Sequence, residues 1–261
     1  MDGDFLPADL DTLTRNAPII PTITGVTTAE AGTFVFFDTK RSFIEVIPSN
    51  RHNHSRGDVE KVFDVYNSMI PGVTPWLREF YYDKSGFNSP KSNFYLSKQV
   101  ELVSDVTFIV PAYQEALAKT KLNWPMYLYV EEFYDNSPPR SEIPIEGSLH
   151  TNEMAFLFHI KQWFPVIPER KEGIGEEFAK NMIDGFVSFV KDGRPKSGSV
   201  YWRPISERRP FIYMNLDTKS SMKDGFFKKS INFWTNYLPK KVDVKYLQKL
   251  LPGVKDEVDQ C

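Results

Sequence analysis

The sequence has 261 residues, of which 41% are hydrophobic, 15% aromatic and 25% charged. This composition is typical of a globular protein and excludes a disordered chain, collagen or a coiled coil. Basic and acidic side chains nearly balance, at 32 and 34, and the basic pairs are scattered, so no nucleic-acid partner is indicated. No apolar run reaches membrane-spanning length, and no repeat divides the chain. A single domain is the simplest prediction.

The first half of the chain contains patterns for two strands and a helix. Residues 18–26 mix isoleucine and valine with threonine and proline, which predicts a buried strand that ends at a turn. Residues 59–70 carry apolar side chains at the spacing of one helix face, with Asp58 before them and Pro71 after. Residues 127–133 are β-branched and aromatic, which predicts a second strand.

The second half repeats the alternation of helix and strand. Residues 174–190 have helical spacing, and Gly193 supplies the stop signal. Residues 211–216 alternate after Pro210 and predict a third strand at an edge of the sheet. A last helix is predicted over residues 222–238. Strands that alternate with helices indicate an α/β protein.

The four histidines are His52, His54, His150 and His159. His52 and His54 lie in a polar run without a third ligand nearby, so we interpret them as solvated loop residues and predict no metal site. His150 lies in a polar loop after the second strand, where an imidazole could act in acid–base chemistry. A histidine in a loop is nevertheless more often structural.

Glu30 is the acidic residue that stands out, because it follows the first strand between small residues. Its carboxylate could turn back over the strand end, or it could face the dipole of a helix N-terminus. No Gly-x-Ser-x-Gly nucleophile motif occurs in the 261 residues. The single cysteine, Cys261, is terminal, so an internal disulfide is excluded.

Five motifs together resemble the C-terminal half of type-B carboxylesterases and cholinesterases. In chain order they are Asp-Gly-Asp-Phe-Leu-Pro at 2–7, Gly-Val-Thr-Thr-Ala-Glu-Ala-Gly at 25–32, Gly-Ser-Leu-His-Thr-Asn-Glu at 147–153, Phe178-Ala179 with Asp-Gly-Arg-Pro at 192–195, and Phe233-Trp234. The resemblance covers nearly the whole chain. It implies the C-terminal part of an α/β-hydrolase fold, a mostly parallel sheet flanked by helices, and one partial domain over residues 1–261.

The resemblance also assigns roles to particular residues. The family uses a Ser, Glu, His triad, in which Glu30 matches the acid and His150 the general base. Glu153 matches the acid that follows the family's histidine and is expected to support the pair. The implied substrate is a carboxylic ester, with no cofactor and no metal.

The chain departs from the family pattern because two parts of the family's catalytic machinery are not found in it. The serine and the oxyanion loop lie upstream in the family, so residues 1–261 are expected to be inactive alone. We interpret the sequence as a truncated gene model, an internal start or a cloned fragment. Relatives are usually secreted or held in the endoplasmic reticulum, but a signal peptide would lie upstream, so the compartment stays open. Cysteines that form a disulfide in cholinesterase-like members align with Val110 and Ile231, both apolar here.

Several alternatives remain open at this point. The parent protein is either an esterase or a non-catalytic domain that binds proteins, and retention of Glu30 and His150 favours the enzyme. Without the upstream half, a hydrophobic sheet edge is predicted to aggregate and to give poor soluble expression. The helix at 222–238 and the tail at 242–254 resemble a dimerisation region, so a homodimer is one reading and core packing is the other.

Overall fold

The structure is a computed structural model that describes residues 3–36, 51–83, 93–135, 142–158 and 174–251. His159 and Cys261 lie outside these ranges. The helices are α1 (Leu10–Asn16), α2 (Thr33–Phe36), α3 (Arg56–Met69), α4 (Thr74–Arg78), α5 (Phe94–Ser104), α6 (Val110–Lys121), α7 (Asn152–Phe158), α8 (Ile174–Asp192), α9 (Lys228–Asn232) and α10 (Val244–Leu250). The strands are β1 (Thr22–Thr27), β2 (Met126–Glu131), β3 (Lys196–Ser197), β4 (Val200–Tyr201), β5 (Ile212–Leu216) and β6 (Ser221–Asp224).

A four-stranded sheet with the order β1, β2, β5, β6 lies at the centre of the described residues. β1, β2 and β5 run parallel, with Thr27 opposite Glu131 and Glu131 opposite Leu216, whereas β6 is antiparallel to β5. This mostly parallel sheet flanked by helices confirms the predicted fold class. The prediction that residues 211–216 form an edge strand is wrong, because a hairpin places β6 beside them.

The side chains of β2 alternate between two hydrophobic layers. Met126, Leu128 and Val130 pack into the layer that contains side chains of α3, α6 and α9. Tyr127 and Tyr129 face the opposite layer, which contains side chains of α8. Because the strand is covered on both faces, its sequence is an almost continuous apolar run.

Two predicted helices are confirmed, with small differences at their ends. α3 begins at Arg56 rather than after Asp58, because Ser55 caps it: the Ser55 backbone N–H and Oγ donate to Asp58 Oδ2 at 2.9 and 2.6 Å. α8 ends where Gly193 adopts a φ of +67°, a left-handed conformation that favours glycine at a helix C-terminus.

The predicted helix at 222–238 is wrong at its beginning. Met222 belongs to β6, and a turn at Gly225, with a φ of +107°, separates that strand from α9. A π-helical turn (Phe233–Tyr237) and a 3-10 turn (Leu238–Lys240) continue α9. Phe233 and Trp234 are buried in the chain's own core, which favours the core-packing interpretation. Homodimerisation stays a prediction.

Val110 and Ile231 mark the positions where the resemblance places cysteines. Val110 begins α6, Ile231 lies in α9, and both are buried in the same hydrophobic layer as Trp234. The two apolar side chains therefore contribute to one packed core.

Candidate active site

A glutamate and a histidine are hydrogen-bonded at the carboxyl ends of β1 and β2. Glu30 begins a 3-10 turn (Glu30–Gly32) just after β1, and His150 lies in the loop between β2 and α7. His150 Nδ1 donates to Glu30 Oε2 at 2.6 Å. The Glu30 side chain is 5% exposed and the His150 side chain 38%. The carboxylate is thus fixed in the interior while the imidazole remains reachable from solvent.

The local backbone holds Glu30 in place. The Thr27 backbone N–H donates to Glu30 Oε1 at 2.7 Å, so the carboxylate turns back over the end of its own strand. The Ala31 backbone N–H donates to Ser104 Oγ at 2.9 Å, which ties the turn to α5. Both carboxylate oxygens therefore have partners, and Oε2 faces the imidazole.

The His150 loop is attached directly to the segment that follows β1. The Ala29 backbone N–H donates to Ser148 O, and the Ser148 N–H donates to Thr28 Oγ1, both at 2.8 Å. Gly147, before them, has a φ of +104°, and a Cβ there would lie 2.7 Å from Thr28 Oγ1. Only glycine fits this approach, which explains the glycine at position 147.

Glu30 changes the acid–base properties of His150. Its hydrogen bond and negative charge raise the pKa of His150 above the ordinary value of 6.5, although partial burial acts in the opposite direction. The Phe108 ring lies against the imidazole, with centroids 4.7 Å apart. With Nδ1 held by Glu30, Nε2 is the nitrogen that can accept a proton from a nucleophile.

Glu153 lies in the first turn of α7, close enough to Glu30 and His150 to interact electrostatically. Its Oε2 is buried and has no hydrogen-bond partner within the described ranges. Burial raises the pKa of Glu153. The structure therefore brings together all three residues that the sequence singled out.

Sequence reasoning missed Glu131, the last residue of β2. This glutamate is fully buried, and its Oε1 accepts hydrogen bonds from Ser148 Oγ at 2.9 Å and from Asn152 Nδ2. Burial raises the pKa of Glu131 well above its usual range. A signal was present in the sequence, because Glu131 shares a strand face with Tyr127 and Tyr129, and that face is buried.

Of the other histidines, His52 and His54 take no part in this site, and His159 lies outside the described residues. His52 is exposed, as predicted. The interpretation of His54 as a solvated loop residue is wrong: it is buried, and its Nε2 lies 2.7 Å from Gln99 Oε1 in α5. Burial lowers the pKa of His54 below 6.5. Among the residues that the structure describes, no group of three potential metal ligands occurs.

Comparison with known proteins identifies the family. The model of the carboxylesterase family matches residues 1–234, which is most of the chain. The chain belongs to the carboxylesterase family. Gut esterase 1 of Caenorhabditis briggsae is 27% identical over an alignment of 276 positions, which covers 99% of this chain and 48% of the relative. Gut esterase 1 of Caenorhabditis elegans is 26% identical, with 90% and 44% covered.

Mammalian members are also similar to this carboxylesterase-family chain. Carboxylesterase 5A of Canis lupus familiaris is 23% identical over 248 residues, which cover 92% of the chain and 40% of the relative. The chain spans about half the length, or slightly less, of the curated relatives it matches. The resemblance to type-B carboxylesterases is therefore confirmed.

Proposed function

We propose that this chain supplies the acid and the general base of a serine hydrolase that cleaves carboxylic esters. The 2.6 Å hydrogen bond between His150 Nδ1 and Glu30 Oε2 carries the proposal, because a buried carboxylate bonded to an imidazole is the arrangement that the acid and the base of a catalytic triad require. Membership of the carboxylesterase family and similarity to proteins named gut esterase support esters as the substrate class. In this proposal the nucleophilic serine is supplied by a segment other than residues 1–261.

The chemistry begins with proton transfer. His150 Nε2 takes the proton of the serine hydroxyl as the serine oxygen attacks the ester carbonyl carbon. The π electrons of the carbonyl bond move onto the carbonyl oxygen. The imidazolium that forms is stabilised by the Glu30 carboxylate at Nδ1. His150 then gives its proton to the leaving alcohol, and an acyl-enzyme remains.

The second half of the cycle regenerates the serine. His150 Nε2 takes a proton from water, whose oxygen attacks the acyl carbon, and the proton passes to the serine oxygen as the acid leaves. The proton on Nδ1 stays in its hydrogen bond to Glu30 throughout. Glu30 therefore sets the orientation and charge stabilisation of His150, while His150 carries the proton.

The pairing of Glu30 with His150 disfavours the alternative of a domain used only for binding proteins. Burying a carboxylate is unfavourable unless it is paired, and a binding domain gains nothing from placing it against a half-exposed imidazole. The retained pair favours the enzyme.

Within the described ranges, no helix combines the length and apolar character needed to span a membrane.

The test is an assay of the polypeptide that the native transcript encodes, with its 5′ end sequenced first. We expect an upstream Gly-x-Ser-x-Gly motif, hydrolysis of p-nitrophenyl acetate and labelling of the serine by a fluorophosphonate. His150→Ala should abolish both reactions. A native polypeptide that neither hydrolyses the ester nor reacts with the probe would contradict the proposed function.

A further inference from the structure

The loop that carries His150 has a backbone conformation that needs support. Thr151 adopts a φ of +68°, in the left-handed region that β-branched residues rarely occupy. Thr151 Oγ1 donates to His150 O at 2.6 Å, and the Asn152 N–H donates to Leu149 O at 3.0 Å, closing a tight turn. Such strain persists only where surrounding contacts hold the chain.

Glu131 supplies contacts on both sides of His150. Its Oε1 accepts from Ser148 Oγ, two residues before the histidine, and from Asn152 Nδ2, two residues after it. Asn152 Nδ2 also donates to Phe133 O at 3.3 Å. One buried oxygen thus joins the two ends of the His150 turn to the end of β2.

Further attachments of the loop come from the segment that follows β1. The Ser148 backbone bonds to Thr28 and Ala29, which follow β1, and Thr33 Oγ1 donates to His150 O at 3.1 Å. The loop is therefore held between β1, which positions Glu30, and β2, which ends in Glu131. Removing the Glu131 acceptor would leave the turn attached on the β1 side, with Asn152 Nδ2 bonded to Phe133 O alone among these two acceptors.

The environment of Glu131 favours an uncharged carboxyl group. Burial and the nearby Glu153 raise the pKa of Glu131 well above its usual range. Its Oε2 is buried and has no hydrogen-bond partner in the described part of the chain. Glu131 accepts both hydrogen bonds through Oε1, while burial disfavours the negative charge that would compete with Glu30 for the imidazole.

We propose that Glu131 is a positioning residue: by accepting hydrogen bonds from Ser148 and Asn152, it fixes the loop so that His150 Nδ1 meets Glu30 Oε2. The catalytic consequence rests on the proposed function, whereas the effect on the His150–Glu30 pair does not. The role belongs to the acceptor oxygen rather than to a charge, so glutamine should replace glutamate here.

The test compares three variants of the polypeptide encoded by the native transcript. Glu131→Ala removes the acceptor, and Glu131→Gln keeps it. Glu132→Gln is the matched control, because Glu132 is the next residue but bonds to Lys223 at the surface. The readouts are the pKa of the His150 imidazole from NMR titration, and kcat and KM for p-nitrophenyl acetate.

We expect Glu131→Ala to lower the pKa of His150 toward its ordinary value, because the bond to Glu30 loosens. It should reduce kcat by about tenfold to a hundredfold while KM changes by less than about twofold, since misplacing a catalytic group by an ångström has effects of this size. Glu131→Gln and Glu132→Gln should match the unchanged protein in both readouts.

Two outcomes would overturn the inference. One is an unchanged His150 pKa in Glu131→Ala; the other is a loss in Glu131→Gln as large as in Glu131→Ala. If Glu131→Ala does not fold, the double variant Ser148→Ala with Asn152→Ala removes the two donors instead and should produce the same fall in pKa. An inactive polypeptide in which the His150 pKa still responds to Glu131→Ala would reject the proposed function alone.

Discussion

The fold places one hydrogen-bonding side chain against His150 and one against His54, yet the pKa values of the two histidines shift in opposite directions from 6.5. His150 donates to the carboxylate of Glu30, whose hydrogen bond and charge raise the pKa of the imidazole. His54 lies against the neutral amide of Gln99, so burial dominates and lowers its pKa. The charge of the partner therefore decides whether a partly or fully buried histidine becomes a better or a poorer base.

The two histidines also couple to folding with opposite signs. Because the pKa of His150 is raised in the folded chain, its contribution to stability is complete below pH 6.5 and is lost as the pH rises through the raised value. Because the pKa of His54 is lowered, its contribution is present above pH 6.5 and is lost as the pH falls toward the lowered value.

The largest effect should come from removing the imidazole that has the charged partner. His150→Ala in the polypeptide encoded by the native transcript should reduce kcat by about 10⁴-fold or more, because the proposed general base is lost. The melting temperature should also fall, because the buried Glu30 carboxylate loses its imidazole partner. His52→Ala, at an exposed site, is the control and should keep full activity. An active His150→Ala protein would remove the basis for the comparison.

Replacing the charged partner of His150 by a neutral one should lower the pKa of His150, as the neutral partner of His54 leaves the pKa of His54 low. Glu30→Gln should reduce kcat by about 10²- to 10⁴-fold, because the tautomer and the imidazolium are no longer stabilised. The acid limb of the kcat/KM profile should move to lower pH, because the pKa of His150 falls without the carboxylate. An acid limb that stays in place would show that Glu30 does not set this pKa.

Replacing His54 should affect stability rather than catalysis. His54→Leu removes the buried hydrogen bond to Gln99 and should lower the free energy of unfolding by about 1–3 kcal/mol at pH 8, measured by urea denaturation. The unchanged protein should lose stability as the pH falls below 6.5 and His54 takes up a proton, and the variant should lose less as the pH falls. An unchanged pH dependence in the variant would contradict the assignment.

The sequence supports a good part of this architecture. Apolar spacing predicts α3 and α8, and the five ordered motifs point to Glu30, His150 and Glu153, which the structure brings together. Spacing could not locate the junction of β6 and α9, because Gly225 and the positive φ of Phe227 separate residues that look continuous along one helix face.

The partners of buried polar side chains were beyond the sequence for a different reason. His54 and Gln99 are 45 residues apart, and Glu131 meets Ser148 and Asn152 across a loop. A polar residue in a polar run, such as His54, gives no local sign that it will be covered. Such contacts depend on tertiary packing, which no local pattern encodes.

The smallest effect concerns the strained turn beside His150. Thr151→Gly should raise the free energy of unfolding by at most about 1 kcal/mol, because the relief of a positive φ is partly offset by the greater freedom of glycine in the unfolded chain. Thr151→Ala is the matched control: it loses the same hydroxyl but keeps a Cβ at this φ. If Thr151→Gly is less stable than Thr151→Ala by the full entropic cost of glycine, about 0.4–1 kcal/mol, the turn stores no strain, and the contacts of Glu131 and Thr28 merely hold a loop that would adopt this shape unaided. A more stable Thr151→Gly would show that those contacts impose the geometry in which His150 reaches its carboxylate, a constraint that the amide-paired His54 does not need.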